Sequence, residues 1–590
     1  MKEVIIMLQK GGAFLLENIN PGDVFTPEDF SDEHRMIRDT VADFAASELA
    51  PRVEELEHQP EGLMRELLAK AGELGLLSAD IPEEYGGSDL GKIASIIITE
   101  NIVAGGSFSL AHGAHTGIGS LPIVFFGNEE QKRRYLPKLA TGEMVAAYAL
   151  TEPNAGSDAL SARTKAVLSP DGQHYLLNGE KMFITNAGIA DVYVTYAKID
   201  GEKFTAFIVD RNTPGFSLGA EEKKMGIKGS STRSLVFEDA RVPVENLLGE
   251  IGRGHVIAFN ILNIGRLKLG AGCTGSAKLA IELATKYALQ REQFKQPIAR
   301  FGLIRQKLAQ MNARTYAAES MVYRITGNIE ESLAGKSTGA EVAAAIEEYA
   351  IECSIAKVFA SEVLDYVVDE MVQIYGGYGY IQDYPAERFY RDSRINRIFE
   401  GTNEINRLII PATLVRRAMK GQLALLPAAK ALAGEILNLR AATPEDDGKP
   451  LAAERAMVAM AKKLFLLVGG QAVEKYMDKL AREQEIIGIL ADLAIQIYAM
   501  ESAILRALKA WEADPREAET KLLLAQAYVH DSYPLLEKWA RDAMCFLFEG
   551  DMRQTQLSIV KRMCKHQPVD LIGLRRQIAE RVLQAEKYVV

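Results

Sequence analysis

Between residues 146 and about 250 the chain changes texture, and that change limits the architectures open to it. Short β-branched and aromatic runs appear, such as Tyr193-Val194-Thr195-Tyr196 and Phe204-Thr205-Ala206-Phe207-Ile208-Val209. Ser169-Pro170-Asp171-Gly172 and Asn212-Thr213-Pro214-Gly215, both good turn sequences, separate them. The spacing predicts a small antiparallel β-domain ending near Gly249. Helical patterning flanks it on both sides, and 590 residues are too many for one core, so about two to four domains are expected. The reading is an α+β chain: a helical domain over 30–145, the β-domain over 146–250, a helical domain over 251–424 and a further helical region over 425–590.

Ser31-Asp32-Glu33-His34 opens the first helical domain like a capping box, with His34 where the reciprocal Glu or Gln would stand. Met36, Val41, Phe44 and Leu49 follow at roughly helical spacing, and Pro51 and Pro82-Glu83-Glu84-Tyr85-Gly86-Gly87 punctuate the region. Long helical patterns return from His255 to about Ala424, and a polar linker, Ala441–Pro450, breaks the last region. Val4-Ile5-Ile6-Met7-Leu8 falls short of the ~7–15 apolar residues of a signal-peptide core. Asn101–Asn128 has no Asp, Glu, Lys or Arg and exceeds the ~20 residues of a spanning helix, but His112, His115, Pro122 and several Ser and Gly dilute it. Leu423–Ala433 is mildly amphipathic, yet Pro427 and sparse basic residues make it a poor interfacial helix. A cytoplasmic protein is expected, with peripheral membrane contact disfavoured but open.

A net charge of −11 gives no broad electrostatic case for nucleic acid. Cys273, Cys353, Cys545 and Cys564 are far apart with no CxxC pattern, and eight scattered histidines form no HExxH, so neither a disulfide framework nor a metal site is expected. Gly270-Ala271-Gly272-Cys273-Thr274-Gly275 matches the dinucleotide fingerprint GxGxxG, which needs a strand before it. Ile261–Leu269 reads instead as the opening of a long helix, where small residues allow close helix packing.

The chemistry-bearing stretch is Ile398-Phe399-Glu400-Gly401-Thr402-Asn403-Glu404-Ile405, soon after Gln373-Ile374-Tyr375-Gly376-Gly377-Tyr378-Gly379-Tyr380. Far upstream lie Ala149-Leu150-Thr151-Glu152-Pro153-Asn154-Ala155-Gly156-Ser157-Asp158 and Phe183-Ile184-Thr185-Asn186. In the Thr151–Asp158 block Pro153 and Gly156 force irregular backbone, and hydroxyls beside exposed amides suit the edge of a planar polar heterocycle or, equally, a capped loop. Together and in this order these blocks resemble the acyl-CoA dehydrogenase family, from about residue 30 to about 415.

The resemblance implies a helical domain, a small β-barrel and a four-helix bundle, with FAD as cofactor. It assigns Glu400 as the base that takes the proton α to the thioester, while the β-hydrogen leaves as hydride to flavin N5. The base's own amide and a flavin ribityl hydroxyl would hold the thioester oxygen. Burial beside Phe399 and an acyl chain should raise the Glu400 pKa. Thr151, Ser157, Phe183 and Thr185 match flavin-contacting places, with Ser157 also near the acyl-CoA. Phe183 stands where Trp is usual, keeping a stacking face and losing an N–H donor. Arg291 and Phe294 match an Arg-x-x-Phe element which, with Gln373, Gly376 and Gly377, reaches the FAD of a neighbouring subunit; a guanidinium suits a pyrophosphate. Thr402 and Glu404 match cofactor-contacting places, Glu404 replacing a frequent Gln or Asp. Arg266 lies where the family contacts CoA, and Gly401 follows the base in the substrate site.

Leu110–Ser120 is poor in bulk, and Gly113, Ala114 and Gly117 would leave the family's acyl pocket open to long chains, unless they serve only helix packing. The extension past residue 425 points to the very-long-chain branch and to a homodimer. The expected reaction is conversion of long-chain acyl-CoA to trans-2-enoyl-CoA in fatty-acid β-oxidation, with an electron-transfer flavoprotein as acceptor. An oxygen-using acyl-CoA oxidase, a non-catalytic scaffold and a branched- or aromatic-acyl enzyme are the alternatives.

Overall fold

The computed structural model describes residues 8–436, 441, 444 and 447–590; Val4–Met7 and part of the Ala441–Pro450 linker lie outside them. The amino-terminal domain comprises α1 (Asp32–Phe44), α2 (Val53–Glu57), α3 (Leu63–Glu73), α4 (Gly91–Asn101), α5 (Ser107–Gly113), α6 (Leu121–Phe126) and α7 (Glu129–Thr141). His34 fills the capping-box role of the missing Glu or Gln: its Nδ1 accepts from the Ser31 N–H at 3.3 Å, and its own N–H donates to Ser31 Oγ at 3.1 Å. Asn101–Asn128 is not one helix, because α5 runs into a π-helical segment, Ala114–Gly119, before α6. His115 joins this segment to the sheet. Its Nδ1 accepts from the Ala146 N–H at 3.0 Å and its Nε2 pairs with the Leu139 carbonyl at 3.0 Å. Burial pushes its pKa down to about 4, so the ring is neutral.

The β-domain contains β1 (Ala146–Ala149), β2 (Lys165–Leu168), β3 (His174–Thr185), β4 (Val192–Ile199), β5 (Lys203–Asp210), β6 (Phe216–Glu221), β7 (Thr232–Pro243) and β8 (Leu247–Leu248). They form one sheet in the order β6-β7-β3-β2-β4-β5-β8, with β1 paired off the path to β4. The expected antiparallel pairing is corrected in one respect. β1 and β2 both run parallel to β4, so the sheet is mixed. The expected turns do connect β2 to β3 and β5 to β6. Strands β4 and β5 are buried over most of their length, which is why they read as nearly continuous apolar runs.

Helices α8 (Gly254–Gln290), α9 (Gly302–Leu333), α11 (Ala350–Tyr375) and α13 (Asn403–Met419) pack into a four-helix bundle. A hairpin, β9 (Glu292–Gln293) with β10 (Gln296–Pro297), follows α8, while α10 (Gly339–Glu348) and α12 (Pro385–Ser393) are accessory. The GxGxxG match lies in mid-α8 with no strand before it. A Cβ on Gly275 would sit 1.9 Å from the Glu100 carbonyl, so the residue admits α4 against α8.

The extension adds α14 (Leu425–Glu435), α15 (Ala452–Tyr476), α16 (Gln484–Ala513), α17 (Glu519–Leu547), α18 (Gly550–Met563) and α19 (Leu571–Ala585). α16 packs on α9 and α13 of the bundle. The segments Ala452–Arg482 and Gln484–Ala513 are long and apolar enough to cross a membrane, but most of each apolar window is buried inside the protein. The residues before α1 form a strap between bundle and extension. Gly12 N–H donates to Glu352 at 2.7 Å, Phe14 meets Tyr498 edge-on at 4.8 Å, and Arg506 Nε donates to Glu28 at 2.9 Å. The buried Ala13-Phe14-Leu15 segment adds roughly 1.5–3 kcal/mol of apolar burial for each of its two large side chains.

Candidate active site

Glu400 lies in the short loop between α12 and α13, at φ 55°, a region that non-glycine residues seldom occupy. Three groups shape this loop. Thr402 Oγ1 accepts from the Ile405 N–H at 3.2 Å and caps α13. Asn406 Nδ2 faces the carbonyls of Gly401, Thr402 and Glu400 at 2.8, 3.0 and 3.4 Å. Arg266, on α8, donates from Nε to the Glu400 carbonyl at 3.2 Å and from NH1 to Asn263 at 2.8 Å. Arg266 is buried, and these two bonds tie it to the loop that carries Glu400.

The Glu400 carboxylate is aimed at Gly265 on α8. A Cβ there would lie 2.9 Å from Oε2, so only glycine leaves the carboxylate its place. Oε2 is buried with no hydrogen-bond partner in the chain. Burial raises the Glu400 pKa to about 7 against the pull of two nearby cations, Arg266 and Lys357. A base half-ionised near neutrality, with an unsatisfied oxygen, is equipped to accept a proton from a bound carbon acid.

Glu400 is one of the residues that line a cavity. Gly113, Ala114 and Gly117 line it together with Leu269 and Gly272 of α8 and with Val103. No atom lies within 4 Å of where a Gly113 side chain would begin. Thr185 from β3 lines the same space.

Thr151 is placed beside β3 because its carbonyl accepts from the Met182 N–H at 2.9 Å. Its neighbour Glu152 anchors the loop, accepting from the Thr164 N–H at 3.1 Å and from the fully buried Lys181 at 2.7 Å. Ser157 is exposed farther along this loop. Phe183 is 59% exposed at φ 59°, within a register shift between β3 and β7. A bulky side chain held in a strained conformation with its ring in the open marks a contact surface.

Arg291, Gln373, Gly376 and Gly377 gather elsewhere, around the last turn of α11 and the β9–β10 hairpin. Arg291 holds its guanidinium 5.4 Å over the Tyr378 ring, in a groove floored by Gly376 and Gly377. Phe294 is 86% exposed. None of the four, nor Phe294, lines the Glu400 cavity. Glu404 is exposed, in the first turn of α13.

Models of the acyl-CoA dehydrogenase N-terminal domain match residues 31–143, of the middle domain 147–240, and of two C-terminal domains 252–415 and 460–562. A Bacillus subtilis protein named "Probable acyl-CoA dehydrogenase" is 53% identical over 99% of both chains. The chain belongs to the acyl-CoA dehydrogenase family. The mitochondrial very long-chain specific acyl-CoA dehydrogenase of Macaca fascicularis is 36% identical over 82% of this chain and 75% of its own. A crystal structure of a Bacillus anthracis acyl-CoA dehydrogenase complexed with FAD superposes with a TM-score of 0.96 at 54% identity, over 99% of this chain and 100% of that one.

This acyl-CoA dehydrogenase is accordingly an FAD-dependent oxidoreductase, and its residues fit the cofactor. Thr185 and the Glu400 carboxylate share one cavity, and Phe183 offers an open aromatic face two residues from Thr185. Sequence reasoning missed Gly265, Asn406, Lys357 and the Glu152–Lys181 pair. A signal for two of them exists: Lys357 stands alone within Ile355-Ala356-Lys357-Val358-Phe359, and Lys181 occupies a buried position of a strand.

Proposed function

We propose that this dehydrogenase oxidises long-chain acyl-CoA to trans-2-enoyl-CoA in fatty-acid β-oxidation, with Glu400 as the base. The observation that carries the reading is a buried Glu400 oxygen without a partner, on a residue that lines an apolar cavity together with the small residues Gly113, Ala114 and Gly117. Glu400 removes the α-proton, and its pKa near 7 suits a base working at neutral pH. Gly265 and Arg266 hold the carboxylate and its backbone in place during transfer. Bound FAD supplies the acceptor for the β-hydride. Thr151, Ser157, Phe183 and Thr185 hold and orient it, with Thr402 and Glu404 beside the base.

Relatives named as dehydrogenases support an electron-transfer flavoprotein as the acceptor over direct use of oxygen. The working unit is a homodimer: exposed Phe294, Leu303 and Tyr380 flank the Arg291–Gly377 groove, where a second subunit would place its FAD pyrophosphate, and Gln373 joins that surface. The extension packs on α9 and α13 of the bundle, the place a second dimer would otherwise take. The protein works in the cytoplasm; most of the apolar stretch in each of its two helices long and apolar enough to cross a membrane is buried inside it.

Anaerobic titration with palmitoyl-CoA, followed by the visible flavin absorbance, tests the reading. Bleaching in the wild type that Glu400→Gln abolishes while retaining FAD is the expected result. A flavin that binds yet ignores palmitoyl-CoA would return the substrate to short or branched acyl groups.

A further inference from the structure

A row of hydrogen-bonded polar side chains leads from the carboxy-terminal extension to the loop that carries Glu400. On α16, Asp492 accepts from Arg407 Nε at 2.8 Å. The same guanidinium turns its other edge to α11, donating from NH1 and NH2 to the two Glu362 oxygens at 2.7 and 3.0 Å. Glu362 Oε1 also accepts from Asn403 Nδ2 at 3.0 Å. Asn403 Oδ1 in turn accepts from Lys357 Nζ at 2.6 Å. Lys357 is fully buried and is one of the two cations whose field reaches Glu400.

Asn403, Asn406 and Arg407 share one face of α13, at i, i+3 and i+4. Asn403 fastens the first turn to α11, Asn406 holds the carbonyls of residues 400–402, and Arg407 spans two carboxylates on two other helices. A planar guanidinium gripped on both edges has one orientation, and the helix carrying it inherits that restraint. With Asp492 gone, the Glu362 fork remains but can act as a hinge.

We infer that Asp492 is a positioning residue for the dehydrogenation: through Arg407, Glu362 and Asn403 it fixes the first turn of α13 and thereby the reach of Glu400 into the acyl cavity. The inference rests on the reading of Glu400 as base. It makes the extension a support of the active site as well as a cover for the bundle. A base displaced by a fraction of an ångström loses rate with little loss of substrate binding.

The test uses the full-length, FAD-loaded protein with palmitoyl-CoA, comparing Asp492→Ala, Asp492→Asn and Glu400→Gln. Asp492→Ala should lower kcat about tenfold, ~1.4 kcal/mol in barrier, with KM within about twofold and FAD content and Tm unchanged. Asp492→Asn keeps an acceptor for Arg407 Nε and should recover most of kcat. Wild-type kcat in Asp492→Ala, alongside an inactive Glu400→Gln, overturns the inference and leaves the base standing. A fall in kcat matched by losses of FAD and Tm, which asparagine does not rescue, also overturns it by reducing Asp492 to a structural role. Activity retained in Glu400→Gln removes the base reading, and this inference with it. If Asp492→Ala yields no folded protein, Arg407→Lys keeps the charge but cannot span both carboxylates, and it must show the same loss of kcat at constant KM.

Discussion

Substituting Gly265 by alanine should slow the enzyme while stabilising it, two effects of opposite sign from one methyl group. Gly265 lies within α8, where exchanging glycine for alanine gains about 1 kcal/mol in helix propensity. The new Cβ would sit 2.9 Å from Glu400 Oε2 and 3.0 Å from its Cδ, where ordinary contact begins at 3.4 Å. The obstructing atoms are the end of a flexible side chain, so the carboxylate retreats by about 0.5 Å and the helix does not move. With ~1 Å of misplacement worth ~100-fold, that retreat should cost about tenfold in kcat, ~1.4 kcal/mol. The assays are steady-state kinetics with palmitoyl-CoA and a thermal melt of the FAD-loaded protein. Gly488→Ala, in α16 with no atom within 4 Å of the added carbon, gives the propensity gain without touching Glu400. The reasoning is refuted if Gly265→Ala keeps kcat within about twofold of wild type.

Palmitoyl-CoA should be oxidised more than roughly tenfold faster than butyryl-CoA, and Gly113→Leu should erase that preference by filling the cavity wall; equal wild-type rates across chain lengths would refute this. The rate of flavin reduction should climb with pH through about 7, because Glu400 must be ionised to accept a proton. Lys357→Met should move that midpoint upward by removing a cation that favours the carboxylate, as a pH series of stopped-flow traces would show. The folded pKa of Glu400 lies above its ordinary 4.5, so ionising it costs stability; Glu400→Gln should gain in Tm from pH 4.5 to about 7 and keep the gain above that. Lys181→Met should destabilise the β-domain by about 3–5 kcal/mol, leaving Glu152 buried without its cation, which denaturant titration would measure.

The order of textures was legible because strand and helix periods differ, and Glu400 stood out as a candidate base because Phe399-Glu400-Gly401 sits within a family pattern. The direction of β1 and β2 was not, since a strand's residues do not say which neighbour it pairs with. The tie from Arg266 to the Glu400 carbonyl was not legible for a related reason: the two residues stand 134 positions apart. The strap before α1 gave no signal because its partners, Glu352, Tyr498 and Arg506, are hundreds of positions distant.

By itself the sequence determined the order of helical and β regions, the family and a candidate base, because these depend on local periodicity and on short runs of residues. Only the tertiary structure decided how that base works. The gap at Gly265, the orphaned Oε2, the cations at Arg266 and Lys357, and the tie to Asp492 come from four separate helices or loops. A pKa near 7 is a property of that enclosure: a glutamate in water titrates near 4.5, and only packing removes the water.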